Sequence, residues 1–131
     1  MNIRNMDDYL EQIWDWTFLN DCFGDTVIRV TDIDGLVERH GFFLMIETKK
    51  PTVTEIPRGQ AIMFDHWRKD WRRSVLVIYG YPGAPERACI WPEDAVCVSE
   101  AGIHQFVSDW YGWADSWGNP ALRPTLRAAT P

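Results

Sequence analysis

The sequence predicts an α/β fold in which a mixed central β-sheet is flanked by helices. Three observations support this class. Apolar residues recur at helical spacing in residues 7–23 and again in residues 100–117. Residues 26–38 and 42–49 are rich in β-branched and other apolar residues, as expected for the two strands of a hairpin. Residues 75–79 are apolar throughout, which is typical of a strand covered on both faces.

The first half of the chain predicts a helix followed by the hairpin. The helix over 7–23 has an apolar stripe made of Leu10, Ile13, Trp14, Thr17 and Phe18. Asn5 or Asp7 is its expected cap, because short polar side chains bind free N–H groups at helix starts. A tight turn at His40-Gly41 joins the two strands.

The second half predicts a helix, a buried strand, two short strands and a last helix. The first of these helices runs from Pro57 to Arg73, since proline suits a first helical position. After a turn over 80–85, short strands are expected near 88–91 and 95–98. Ser99 caps the last helix, whose apolar stripe consists of Ile103, Phe106, Val107, Trp110 and Trp113. We expect one domain over 1–117 and a flexible, proline-containing tail over 118–131.

Length and composition exclude several classes of protein. The 131 residues suffice for one domain with a hydrophobic core. No apolar run approaches the roughly 20 residues of a membrane span, and the N-terminus lacks the pattern of a secretion signal. We therefore expect a cytoplasmic protein without a membrane segment. The three cysteines and three histidines lack the spacing of a disulfide framework or a zinc site.

The charge is unevenly distributed. The net charge of −6 argues against a nucleic-acid partner, yet residues 58–73 contain five bases against two acids. We expect phosphate contacts from this segment and from the lysine that follows the second strand, so that the candidate DNA-binding residues are Lys50, Arg58, Arg68, Lys69 and Arg72. For any one of them, an ordinary charged surface residue is an equally good interpretation.

The hairpin contains the most informative residues. If Arg39 faces Phe42 across a two-residue turn, outward pairing places Asp34 opposite Glu47 and Asp32 opposite Lys49. Opposed carboxylates destabilise a strand pair unless something compensates, and a bound divalent cation such as Mg²⁺ or Mn²⁺ would do so. A three-residue turn would instead send Asp34 to the other face, and solvated charges on an exposed face are the alternative interpretation.

Several of these segments resemble a known family. The run Thr31-Asp32-Ile33-Asp34-Gly35-Leu36-Val37, the hairpin, and then Ile46-Glu47-Thr48-Lys49 resemble the signature of the PD-(D/E)xK nuclease superfamily. Small phage and prophage nucleases are the most similar members, because their following helix opens with a glutamine, as Ile56-Pro57-Arg58-Gly59-Gln60 does here. The resemblance covers roughly residues 7–80 and implies a restriction-endonuclease-like αβββαβ core. Ile33 stands where the signature has proline, which leaves Asp32 as an alternative to Asp34.

The resemblance implies a role for each site residue. Asp34, Glu47 and the backbone carbonyl of Thr48 would bind Mg²⁺, with Mn²⁺ as a substitute, and Lys49 would assist the attacking water. Gln60 has independent support, because the apolar stripe of its helix, extended backwards, reaches it and directs its amide towards the sheet. A solvated glutamine in the first turn of the helix is the alternative interpretation. Some family members use an acid of the first helix as a further ligand, and Glu11 is the candidate here, although a solvated helix surface is the better interpretation of this residue.

The sequence thus predicts a Mg²⁺-dependent nuclease that hydrolyses DNA, and the resemblance suggests phage or mobile-element origin. Branched DNA is a plausible substrate, and a homodimer is then expected, with Trp113 and Trp117 as candidate contacts. The alternative is a catalytically inactive binding or inhibitory module with a protein partner. The acidic N-terminal segment would suit that role.

Overall fold

The computed structural model describes residues 6–129, which fall into two compact units divided between Asp32 and Ile33. The N-terminal unit contains helix α1, Met6–Gln12, and a 3-10 helix, Trp16–Phe23. The C-terminal unit contains the β-sheet and two further helices, which are described below. No helix within the described range is long and apolar enough to cross a bilayer.

The continuous helix predicted over 7–23 is wrong. Helix α1 ends at Gln12, and the Asp15 carboxylate accepts the N–H of Thr17 at 2.9 Å, which caps the separate 3-10 helix. Such a local side-chain bond competes with the helical backbone pattern, and it also lowers the pKa of Asp15. The predicted apolar stripe is exposed, and of the two predicted caps, Asp7 lies within α1 while Asn5 lies outside the described residues.

The C-terminal unit is built on a five-stranded mixed sheet, which confirms the predicted α/β class. The strands are β1 Gly35–Arg39, β2 Phe42–Lys49, β3 Arg73–Tyr81, β4 Ala84–Ile90 and β5 Val96–Cys97, and they lie side by side in that order. Only β2 and β3 pair in parallel, because helix α2, Arg58–Trp67, forms the crossover between them. The αβββαβ core that the resemblance implies has three strands before the second helix, whereas two strands precede α2 among the described residues.

The hairpin has the predicted register. His40 and Gly41 both have positive φ, as a two-residue turn of type I′ requires, and Arg39 pairs with Phe42. The pairing continues to Gly35 opposite Ile46 and then stops. Residues 26–34 are therefore not part of the strand, which corrects the prediction of an extended strand over 26–38.

The sheet is covered on both faces, by α2 on one and by helix α3, Glu100–Asp115, on the other. On the α3 face, Trp110, Phe42, Leu44 and Leu76 are completely or almost completely buried. On the α2 face, the core consists of Met45, Phe64, Val75, Val77, Tyr79 and Cys89. The Ser99 hydroxyl accepts the N–H of Gly102 at 3.1 Å, which confirms the predicted cap of the last helix.

Helix α2 is shorter than the sequence predicts. Helix α2 ends at Trp67 rather than Arg73, because the Asp70 carboxylate binds the backbone and side chain of Arg72 and turns the chain into β3. Residues 118–129, predicted as a flexible tail, include a 3-10 turn, Pro120–Leu122. In this segment Leu126 packs against the α3-face core, and the Ala129 N–H binds the Cys97 carbonyl at 2.7 Å.

Candidate functional site

Glu47 is a carboxylate placed on a core-forming face of the sheet. On β2 it follows the buried Met45 by two residues, and in the parallel pair it lies beside the buried Val77 on β3. The residue is 7% exposed and is the one charged residue that the described part of the chain buries. Glutamate is almost never buried unless it has partners, so its surroundings indicate why it lies there.

Two donors converge on one oxygen of this carboxylate. The Gln60 amide Nε2 donates to Glu47 Oε1 at 2.9 Å, and the Lys49 ammonium lies 3.3 Å from the same atom. The Lys49 side chain is only 18% exposed, so solvent screens this ion pair weakly. Within residues 6–129, no donor binds the second oxygen, Oε2, which leaves it available for a ligand.

Helix α2 positions Gln60. The helix begins directly after Pro57, and Phe64, one turn beyond Gln60, is fully buried against the sheet. The same side of the helix therefore directs the Gln60 amide at Glu47, and the predicted orientation of this side chain is confirmed. Its carbonyl oxygen, Oε1, is buried and has no hydrogen-bond partner among residues 6–129. A buried acceptor without a donor is rare in native proteins and indicates a place for a water or ligand.

Asp34 lies at the open end of the hairpin, one residue before β1. Its Oδ2 accepts the backbone N–H of Thr48 at 2.9 Å and the Thr48 hydroxyl at 3.0 Å. The strand pairing stops at Gly35, so Asp34 binds β2 through its side chain rather than as a paired residue opposite Glu47. Its Oδ1 has no donor in the described part of the chain. Asp34 is thus anchored to Thr48, the residue that follows Glu47 on β2.

The donor atoms suit a hard divalent cation. Asp34 and Glu47 each have one oxygen without a protein donor, and the Thr48 carbonyl belongs to the residue that Asp34 binds. The described residues contain no cluster of three or more acidic, histidine or cysteine side chains that could hold a metal. Two carboxylates and a backbone oxygen are ligands that Mg²⁺ accepts when water completes its shell. Lys49 balances only one of the two negative charges.

The two alternative acids lie in the N-terminal unit. The Asp32 carboxylate accepts a hydrogen bond from the indole Nε1 of Trp16 at 3.1 Å, a contact within that unit. Glu11 is exposed on α1. The structure thus supplies a partner for Asp32 that does not involve the sheet.

The predicted DNA-binding residues do not form one group. Lys50 directly follows β2 and Arg58 begins α2, so both flank the loop that joins Lys49 to Gln60. Arg68, Lys69 and Arg72 lie beyond the other end of α2, a ten-residue helix that spans about 15 Å. Arg68 is 3.6 Å from Asp65, and Asp70 binds Arg72 at 2.8 Å, which raises the pKa of that guanidinium. These two arginines are partly neutralised.

Sequence reasoning missed one basic residue on this face. Arg87 lies on β4, where it pairs with Tyr79, and Tyr79 in turn pairs with Lys49. The three residues form a row across the sheet. No local pattern could have found Arg87, because its position depends on the pairing of β3 with β4.

Comparison with known proteins identifies no relative. A scan against protein-family models, a search of curated proteins and a search of solved structures each found no match.

Proposed function

We propose that this protein is a metal-dependent nuclease that hydrolyses phosphodiester bonds in DNA, with its site at Glu47, Lys49, Gln60 and Asp34. The observation that supports this most is the buried Glu47 carboxylate, which shares one oxygen with Lys49 and Gln60 and keeps the other without a donor. A buried ion pair contributes little to stability compared with apolar residues of similar volume. Its presence on a core face is therefore better explained by chemistry than by folding.

The residues divide the chemistry among them. A Mg²⁺ ion held by Asp34, Glu47 and the Thr48 carbonyl would polarise the phosphate and acidify a bound water. The Lys49 ammonium, held beside Glu47, stabilises negative charge that develops on the phosphate oxygens. The carbonyl of Gln60, which has no partner among the described residues, would accept a hydrogen bond from the attacking water and orient it. The hydrogen bond from Gln60 Nε2 to Glu47 keeps that carbonyl in place.

The charge distribution determines which residues DNA can contact. The net charge of −6 disfavours DNA binding by the protein as a whole, so binding relies on local bases. Lys50 and Arg58 are exposed on either side of the loop that leads from Lys49 to Gln60, and neither has an acidic partner within 4 Å among residues 6–129. We expect few phosphate contacts and a correspondingly modest dependence of binding on salt.

Cleavage assays test the proposal. Labelled single-stranded, duplex and four-way-junction DNA would be incubated with the protein in Mg²⁺, Mn²⁺ or EDTA, beside Lys49→Met. We expect cleavage in both metals, none in EDTA, and at least a 100-fold loss of rate in the variant. Cleavage in EDTA, or at an unchanged rate in Lys49→Met, would contradict the assignment. The preferred DNA also identifies the substrate form and whether two sites act together in a dimer.

A binding module for a protein partner is the second candidate, and one observation favours it. Residues 1–32 contain seven acids and two bases, a net charge of −5 out of the total of −6. Apolar side chains in the same segment are exposed, including Trp14 at 66% and Phe18 at 62%. Such a surface suits a basic protein better than DNA. If the protein shows no affinity for any DNA at low salt, this candidate replaces the nuclease.

A further inference from the structure

Arg87 is held rigidly on the same face of the sheet as Lys49. Its guanidinium lies 4.0 Å from the centre of the Tyr79 ring, and its Nη2 donates to the carbonyls of Pro51 at 3.2 Å and Val53 at 2.5 Å. Tyr79 is 5% exposed, and burial raises the pKa of its phenol, so the ring under the guanidinium is uncharged. The side chain is therefore fixed before any ligand arrives.

The remaining donors of Arg87 have no acceptor. Its Nε and Nη1 make no hydrogen bond, and no carboxylate lies within 4 Å, among the residues that the structure describes. Only Nη2 is needed to anchor the loop, and a neutral donor could anchor it without the free-energy cost of half-burying a charge. The free Nε–H and Nη1–H groups can each donate a charge-assisted hydrogen bond to a phosphate oxygen.

Its distance from Lys49 suggests which phosphate it meets. The two residues are separated by Tyr79 alone, so their Cα atoms are two strand spacings, or about 10 Å, apart. Lys49 is placed beside the carboxylates, where the reacting phosphate would lie. Because its guanidinium is fixed over Tyr79 while Lys49 is fixed beside Glu47, we assign Arg87 to a phosphate next to the one that Lys49 contacts.

We propose that Arg87 binds a phosphate of the DNA strand next to the phosphodiester that is cut. This inference rests on the proposed nuclease function and adds a residue to its substrate-binding surface. The residue touches no reacting atom. Its loss weakens DNA binding and leaves the chemical step largely intact.

The salt dependence of DNA binding tests this role. Affinity for labelled duplex and single-stranded DNA would be measured by fluorescence anisotropy without divalent cations, between 50 and 200 mM salt, for the full chain and for Arg87→Gln and Arg87→Lys. For Arg87→Gln we expect the slope of log affinity against log salt to fall by about 0.9 on duplex or about 0.7 on single strands. KM for cleavage rises about tenfold with kcat nearly unchanged. Arg39→Gln is the matched control, because Arg39 is a half-buried arginine at the end of β1 that is paired with Asp115.

The variants separate phosphate binding from loop anchoring. Arg87→Lys keeps the charge and loses the bonds to two carbonyls, so its salt slope stays at the wild-type value even if its thermal stability falls. If Arg87→Gln shows the wild-type slope, or if both variants lose activity through kcat, the phosphate role is wrong while the nuclease can stand. If the wild-type protein neither binds nor cuts DNA, the proposed function fails and this inference fails with it.

Discussion

Replacing the buried Glu47–Lys49 pair with methionine would show whether the pair is kept for stability or for chemistry. The Glu47 side chain is 9% exposed and that of Lys49 is 18% exposed, with 3.3 Å between the charged atoms. Removing one partner of a fully buried pair costs about 3–5 kcal/mol, because the other charge is left without compensation. Since the Lys49 side chain retains some access to water, we expect about 2 kcal/mol for each single change.

The double variant Glu47→Met/Lys49→Met should behave differently. Two methionines beside Met45 and Val77 extend the core and leave no buried charge, so only the Gln60 amide loses its acceptor. We expect a stability within about 1 kcal/mol of the wild type and a coupling energy of about 3 kcal/mol. Cleavage should be abolished in all three variants.

Urea unfolding followed by circular dichroism measures the four free energies in this cycle. A double variant whose loss of unfolding free energy equals the sum of the two single losses would refute this interpretation of the pair. The pair would then be a structural element in its own right, and its burial would no longer favour a catalytic role.

Three further predictions concern other parts of the fold. Asp34→Asn keeps an acceptor for Thr48 and so should leave the melting temperature nearly unchanged, while cleavage falls at least 100-fold; equal cleavage would exclude Asp34 as a ligand. Phe64→Ala should lower the unfolding free energy by about 3–5 kcal/mol, because this side chain is fully buried between α2 and the sheet; a loss below about 1 kcal/mol in urea would contradict the packing. Burial raises the pKa of the Cys89 thiol, whereas Cys22 and Cys97 are exposed. A thiol reagent should therefore modify two cysteines fast and Cys89 only upon unfolding. Because the raised pKa favours the folded form with a protonated thiol, the free energy of unfolding should fall as the pH rises above about 8.5, and thermal melts at increasing pH measure this fall. A third fast thiol would place Cys89 outside the core.

Much of the sheet was predictable because it follows from local patterns. The His40-Gly41 turn sets the register of the hairpin, and the spacing of Glu47 and Lys49 places both on one face whatever that register is. The apolar stripe of α2 likewise directs Gln60 at the sheet, and Ser99 marks the start of α3. Each of these features depends on residues close together in the chain.

What the sequence did not predict depends on distant partners. Residues 26–34 have the β-branched composition of a strand, yet a strand needs a neighbour, and β2 has no paired residue for them beyond Gly35. The bond from Asp34 to Thr48 appears only where that pairing stops. Arg87 belongs to the site face through the register of β3 with β4, which no short sequence pattern encodes.

The central claim is that the Glu47 carboxylate takes part in Mg²⁺-dependent DNA cleavage, and the most direct test is the cleavage rate of Glu47→Gln in Mg²⁺ on the best DNA substrate. Glu55→Gln serves as the control, because Glu55 is an exposed carboxylate in the loop that follows β2. Glutamine keeps the size of the side chain and an acceptor for Gln60, and it removes the charge and replaces one carboxylate oxygen with an NH₂ group. We predict a loss of at least 100-fold in Glu47→Gln and an unchanged rate in Glu55→Gln. Equal rates in Glu47→Gln and the wild type would show that the protein cuts DNA elsewhere, or does not cut it at all.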